Sequence, residues 1–203
     1  MRLIFFDTEF TGLHKNTTLI SIGLISDEGE RFYAELTDYD ETQCNEWIEK
    51  NVLDNLILSG NEDMAKALGD DCMTTVVLGN KECVRKELLE WLGNFGDDIQ
   101  LVSDVAHYDM VLITDLLVES ALELPEYINP YCHDINQDIA MILDVTDKAA
   151  FDYPREKLLT DRGITLPVGE KHNSLYDAEV IKAIYDDFFV VWGGVKRGGV
   201  EVG

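Results

Sequence analysis

Residues Phe5–Leu13 read FFDTEFTGL, and the apolar run Leu3–Phe6 leading into them ends on two carboxylates, Asp7 and Glu9, one residue apart. Side chains alternate between faces along an extended strand, so Asp7 and Glu9 point the same way. Two like charges held side by side repel unless something cationic neutralises them. Oxygen ligands of this kind favour Mg²⁺ or Mn²⁺ over zinc or copper. A lone D-x-E remains weak evidence, because an exposed turn after a strand carries such acids equally well.

Working outward, residues 2–6, 18–25 and 31–36 are rich in Ile, Leu and Phe and read as strands, with the turn signal SDEGE between the last two. Helical patterns cover 41–57, 81–95, 110–122, 136–143, a stretch near 147–161, and 173–192; short strands are expected at 74–78, 99–103 and 131–135. Early strands followed by alternating helices and strands predict a mixed α/β sheet covered by helices. No repeat or Pro/Ser-rich linker divides the chain, so one domain over 1–192 is expected. The Gly-rich tail GGVKRGGVEVG (193–203) is expected to be flexible. Segment 58–80 suggests no function.

The chain has 203 residues, 46% apolar and 28% charged, an ordinary globular balance. No apolar run approaches the ~18 residues of a membrane span. Acidic residues appear by position 7, too early for a signal peptide, which predicts a soluble cytoplasmic protein with no membrane partner. Cys44, Cys72, Cys83 and Cys132 lie far apart and form no C-x-x-C, which argues against a zinc or redox site. The net charge of −24, from 16 Lys and Arg against 40 Asp and Glu, argues against a basic face for gripping long nucleic acid.

Two further stretches hold candidate acids. LVSDVAHYDMVLI (101–113) follows an apolar strand and offers Asp104 and Asp109. Asp109, just before the expected helix, could equally be an ordinary helix cap, and the residues alone do not separate the two acids. KHNSLYDAEVIKAIYD (171–186) offers His172 and Asp177, five residues apart. On one helix that spacing turns them ~140° apart, so both can face one point only if His172 lies on the loop before the helix. An imidazole with a pKa near 6.5 suits a general base at neutral pH. His14 and His133 read as surface residues, and Cys132, His133 and Asp134 cannot share one ion on a strand.

Taken in order, DTEFTGL, the YD of Tyr108–Asp109 and HNSLYDAEVI resemble the motifs of the DEDDh branch of the DEDD exonucleases, over positions 7 to about 185. Short stand-alone bacterial and phage exoribonuclease-like members look most similar. The aromatic before Asp109 makes it a better match than Asp104, while Val105 stands where the family often has Asn. The resemblance implies an RNase H-like mixed sheet, three antiparallel strands then parallel additions, flanked by helices. It further implies a metal-dependent 3'-5' exonuclease acting on a single-stranded 3' end, RNA ahead of DNA, releasing nucleoside 5'-monophosphates. Two Mg²⁺ or Mn²⁺ ions would be held by Asp7, Glu9, Asp109 and Asp177. Asp7 would touch both, Glu9 and Asp177 the ion near the attacking water, and Asp109 the other, with His172 as the base. Phe10, Thr11, Gly12 and Leu13 would meet the substrate's 3' end, Phe10 and Leu13 by packing on the terminal base. The alternatives are a DNA-directed repair or proofreading exonuclease and a catalytically silent binding or scaffold protein. Related exonucleases often form homodimers, for which the apolar surface of helix 173–192 could serve.

Overall fold

A computed structural model describes residues 1–96 and 98–188. The expected flexible tail, 193–203, and the last residues of the helix expected over 173–192 lie outside the described residues. The sheet has six strands: β1 (Arg2–Phe10), β2 (Leu19–Ser26), β3 (Arg31–Leu36), β4 (Thr74–Gly79), β5 (Ile99–Ser103) and β6 (Ile128–Asp134), in the order β4-β3-β2-β1-β5-β6. β1, β2 and β3 form an antiparallel meander, while β4, β5 and β6 add in parallel at the two sides. This is the mixed, RNase H-like arrangement expected.

Helices cover both faces, as half-apolar strands require. Ile4 and Phe6 of β1 face one side, packing with α3 (Lys81–Gly93) and α4 (His107–Leu117). Phe5 faces the other, packing with α5 (Ile135–Leu143), α7 (Arg155–Asp161) and α8 (Ser174–Asp186). Leu175, Ala178, Val180, Ile181 and Ile184 of α8 are buried. The apolar surface once open to a homodimer is therefore core. No helix among the described residues is long and apolar enough to cross a membrane.

Three expected elements differ. The helix expected at 41–57 is broken into a 3₁₀ turn at Glu41–Gln43, α1 (Glu46–Asn51) and a second turn at Leu53–Asn55. Asp40 caps the first piece and Asn45 the second, each side chain accepting from backbone N–H groups and restarting the chain. The stretch near 147–161 is split by Pro154 into α6 (Asp147–Phe151) and α7. The helix expected from 110 begins at His107 and ends at Leu117. Segment 58–80 supplies α2 (Glu62–Gly69) and edge strand β4.

Candidate active site

β1 runs on through both acids to Phe10, and on the α8 side of the sheet Phe5, Asp7 and Glu9 stand opposite Ile25, Gly23 and Ser21 of β2. The register slips between Glu9 and Phe10, a bulge that turns the chain away just past the acids. Small residues on β2 let α8 dock directly there. A Cβ built on Gly23 would lie 2.3 Å from the Leu175 nitrogen, and the Ser21 and Ser174 hydroxyls hydrogen-bond at 3.0 Å. Asn173 caps α8 by accepting from the N–H groups of Leu175 and Tyr176. Its amide donates to the Tyr33 hydroxyl at 3.0 Å and the Asn55 carbonyl at 2.9 Å.

That anchoring puts Asp177 in the first turn of α8 and His172 on the loop before it. His172 adopts φ +63°, and its N–H donates to the Asp177 carboxylate at 2.8 Å. One ligand atom each from Glu9, His172 and Asp177 lie within 4.8 Å of one another. His172 Nδ1 is 3.8 Å from Glu9, too far for a hydrogen bond that would hold a proton on the ring. Trp47, from α1, meets the imidazole in a T-shaped contact with centroids 5.1 Å apart.

The fourth acid arrives from α4. Asp109 lies within the first turn, not at the cap, and accepts from the N–H of Thr8 at 3.2 Å and from its hydroxyl. Thr8 sits between Asp7 and Glu9, so Asp109 is tied to the strand that carries them. Asp104 also lines the cleft, but its carboxylate is taken up by Arg155, receiving Nε and Nη2, the latter at 2.8 Å. The geometry thus separates two acids the residues left open. Between them Val105 has φ +55°, an unusual conformation for a β-branched residue. The Asp134 carboxylate holds this turn by accepting from the N–H groups of Val105 (3.1 Å) and Ala106 (3.3 Å).

The four acids crowd together with little to offset their charge. Burial first, then Asp109, Asp177 and Glu9, pushes Asp7 well above the usual carboxylate range. Burial and then Asp177 and Asp109 do the same to Glu9, with Lys171 opposing. Burial raises Asp109 to about 6 against the Thr8 hydrogen bonds, and Asp177 to about 7 against the His172 N–H. Neither Asp7 nor Glu9 has a hydrogen-bond donor among the described residues. His172 is shifted down, by burial and then Lys171, so its ring is neutral and able to accept a proton near neutral pH. Oxygen donors plus one imidazole, Asp109 buried and the others half-buried, crowded together without matching cations, form a donor set that fits hard divalent ions.

These residues line a cleft of about 440 Å³ that Phe151–Glu156 also line. Phe10 lines it and also stacks on Tyr108, centroids 5.4 Å apart, with its other contacts in the core. Thr11 is 2% exposed and hydrogen-bonds Thr17, Thr18 and Gln43, shaping the turn. Gly12 lies in that turn, where a Cβ would come within 3.1 Å of the His14 ring. Leu13 is 77% exposed and does not line the cleft. Trp47, Arg155 and Lys171 were not among the residues singled out from sequence. A Lys directly before the His was the available signal for Lys171; no local pattern marks Trp47 or Arg155.

The model of the 3'-5' exoribonuclease Rv2179c-like domain matches residues 2–188. The 3'-5' exoribonucleases Rv2179c and MT2234.1, from two strains of Mycobacterium tuberculosis, are 28% identical over 113 residues. Those residues are 55% of this chain and 59% of each relative, so the match spans about three-fifths of the relatives' length. Among solved structures, the nuclease domain of 3'hExo, a DEDDh family member, bound to rAMP, superposes with a TM-score of 0.60 at 14% identity, covering 91% of this chain and 89% of that one. A 3'-exonuclease described in 3'-end specific recognition of histone mRNA stem-loop gives 0.59 at 14% identity, covering 92% and 63%. Both share the fold. With its family model running from the first strand through the last described helix, the chain belongs to the Rv2179c-like 3'-5' exoribonuclease domain family.

Proposed function

We propose that this chain is a hydrolase that removes nucleoside 5'-monophosphates one at a time from the 3' end of single-stranded nucleic acid, RNA ahead of DNA, in the cytoplasm, using a single catalytic domain over residues 1–192. The observation that carries this reading is the convergence of Asp7, Glu9, Asp109 and Asp177 from β1, α4 and α8 beside His172, with carboxyl pKa values raised by burial and mutual repulsion. Membership of an exoribonuclease family supports it.

Asp7, Glu9, Asp109 and Asp177 would hold two divalent ions, Mg²⁺ or Mn²⁺. When bound, such ions neutralise charge at the scissile phosphate and make a water molecule a stronger nucleophile. The chain's own residues do the rest. His172, neutral and on a loop pinned through its backbone to Asp177, takes the proton from the attacking water. Thr8 holds Asp109 in register with β1, and Asn173 fixes the turn that presents His172 and Asp177 together. Phe10, which lines the cleft and is backed by Tyr108, offers an apolar wall for the terminal nucleoside.

The test uses RNA and DNA of one sequence, each labelled at its 5' end. With Mn²⁺ or Mg²⁺, RNA should shorten stepwise from its 3' end, and chelation should stop it. Equal rates on DNA would overturn the RNA preference. No mononucleotide from either polymer with Mn²⁺ present would overturn the enzymatic reading in favour of a binding role.

A further inference from the structure

A chain of net charge −24 repels a polyanion, so the disposition of its few cations matters. Among the described residues every arginine lies within ion-pair distance of a carboxylate. So does every lysine except Lys15, Lys66 and Lys171. Lys66 is on α2 and Lys15 in the turn between β1 and β2; neither lines the catalytic cleft. Lys171 does, together with Asp7, Glu9, His172 and Asp177.

Arg155 is the cleft's other cation and is fully engaged. Its five N–H groups go to Asp104 twice, Asn136, and the carbonyls of Ala150 (2.6 Å) and Tyr153 (2.8 Å). It is a staple of the cleft wall and cannot receive a phosphate without dismantling that wall. Lys171 has the opposite character. Its backbone is fixed: its carbonyl accepts from the Asn55 amide at 2.8 Å, and the next N–H is held by Asp177 at 2.8 Å. Among the described residues its ammonium has no hydrogen-bonded partner, although its charge is felt at Glu9 and Asp177.

We propose that Lys171 is a substrate-binding residue that pairs with a backbone phosphate of the strand entering the cleft, and that it is the only side-chain cation of the described cleft available to do so. The inference rests on the exonuclease reading above. A single such contact also means that affinity rises little once a strand is long enough to place that phosphate.

The experiment measures KM and kcat on a short 5'-labelled RNA from about 50 to about 200 mM salt, for the wild type, Lys171→Met, Lys171→Arg and Lys66→Met. One lost phosphate contact on a single strand lowers the slope of log affinity against log salt by about 0.7. Lys171→Met should show that loss of slope, with KM raised several-fold and kcat nearly unchanged. Lys171→Arg should keep the wild-type slope. Lys66→Met, which removes an equal charge away from the cleft, should match the wild type. An unchanged slope in Lys171→Met overturns the inference, as does a shift confined to its Mn²⁺ requirement, which would make Lys171 a neutraliser of the acids. Either result leaves an active wild type and the exonuclease reading intact; a wild type inert on RNA defeats that reading itself.

Discussion

Glu9 and Glu35 stand on one row of the sheet, each opposite Ser21 of β2, one from β1 and the other from β3. Neighbouring strands lie about 5 Å apart, so the two glutamates sit roughly 10 Å from each other beneath the start of α8. Their surroundings differ completely. Glu35 is 1% exposed and accepts four hydrogen bonds, from the Tyr33 hydroxyl (2.7 Å), the N–H groups of Leu58 (2.7 Å) and Ser59 (2.9 Å), and the Ser59 hydroxyl (2.7 Å). Through Tyr33 the same network reaches Asn173, the cap of α8. Glu9 and its neighbour Asp7 receive no hydrogen bond from the described residues. A carboxylate fully supplied with donors, like Glu35, is satisfied by the protein; carboxylates without donors and crowded by other acids, like Asp7 and Glu9, are candidates to hold the proposed cations. Glu35 is the more deeply buried and the better supplied with donors, and both differences set it apart from Asp7 and Glu9.

Asp7→Asn breaks the comparison on the side of function. Mononucleotide release should fall by roughly two to three orders of magnitude, the scale seen when one electrostatic contact to a transition state is removed. The same change should raise the melting temperature of the metal-free protein at neutral pH, because it deletes a repelled charge. A variant both inactive and less stable would place Asp7 with Glu35, among the carboxylates satisfied by the protein. Glu35→Ala tests the other side. Four donors lose their acceptor, and denaturant titration should show a loss of about 2–4 kcal/mol. Divalent ions should still stabilise the folded remainder, since the cluster around Asp7 is untouched. Gly23→Ala sharpens the geometry between the regions. Its methyl group would push on the backbone of Leu175, displacing α8 at a cost of about 1–3 kcal/mol. Activity should drop more than stability suggests, because Asp177 and His172 move relative to β1; unchanged turnover would mean the α8 contact does not set the site.

The smallest expected effect is on pH dependence. Asp109 and Asp177 have folded values of about 6 and about 7 against an ordinary 3.8, and Asp7 and Glu9 are raised as well. As pH rises from about 4 to about 7, the unfolded chain releases protons that the folded chain still holds, so stability falls. His172, whose folded value is lowered, acts in the opposite sense below 6.5 but is outnumbered by the acids. The metal-free protein should therefore melt a few degrees higher near pH 5 than near pH 7.5, and saturating Mn²⁺ should erase or reverse the difference. A flat profile without metal would mean the four acids are already compensated.

Much of this was legible in the chain itself. Apolar runs and turn signals place β1, β2, β3, β5 and α3 within a few residues, because strand alternation and helical spacing are local properties. D-x-E on one strand necessarily shares a face, and a His before a helix that carries Asp177 can swing toward it. The assembly of those pieces was not local. Separating Asp109 from Asp104 needed Thr8 and Arg155, which lie 101 and 51 positions from their respective partners. The close approach of α8 to β2 turned on Gly23, whose presence in a strand hints at contact without naming the partner. Periodicity located the apolar stripe of α8, yet only packing against the sheet assigned it to the core. Periodicity, residue type and chain order follow from nearest neighbours along the backbone; which acid has donors, which cation is free and which face is covered follow from contacts between distant segments, and those exist only once the chain has closed on itself.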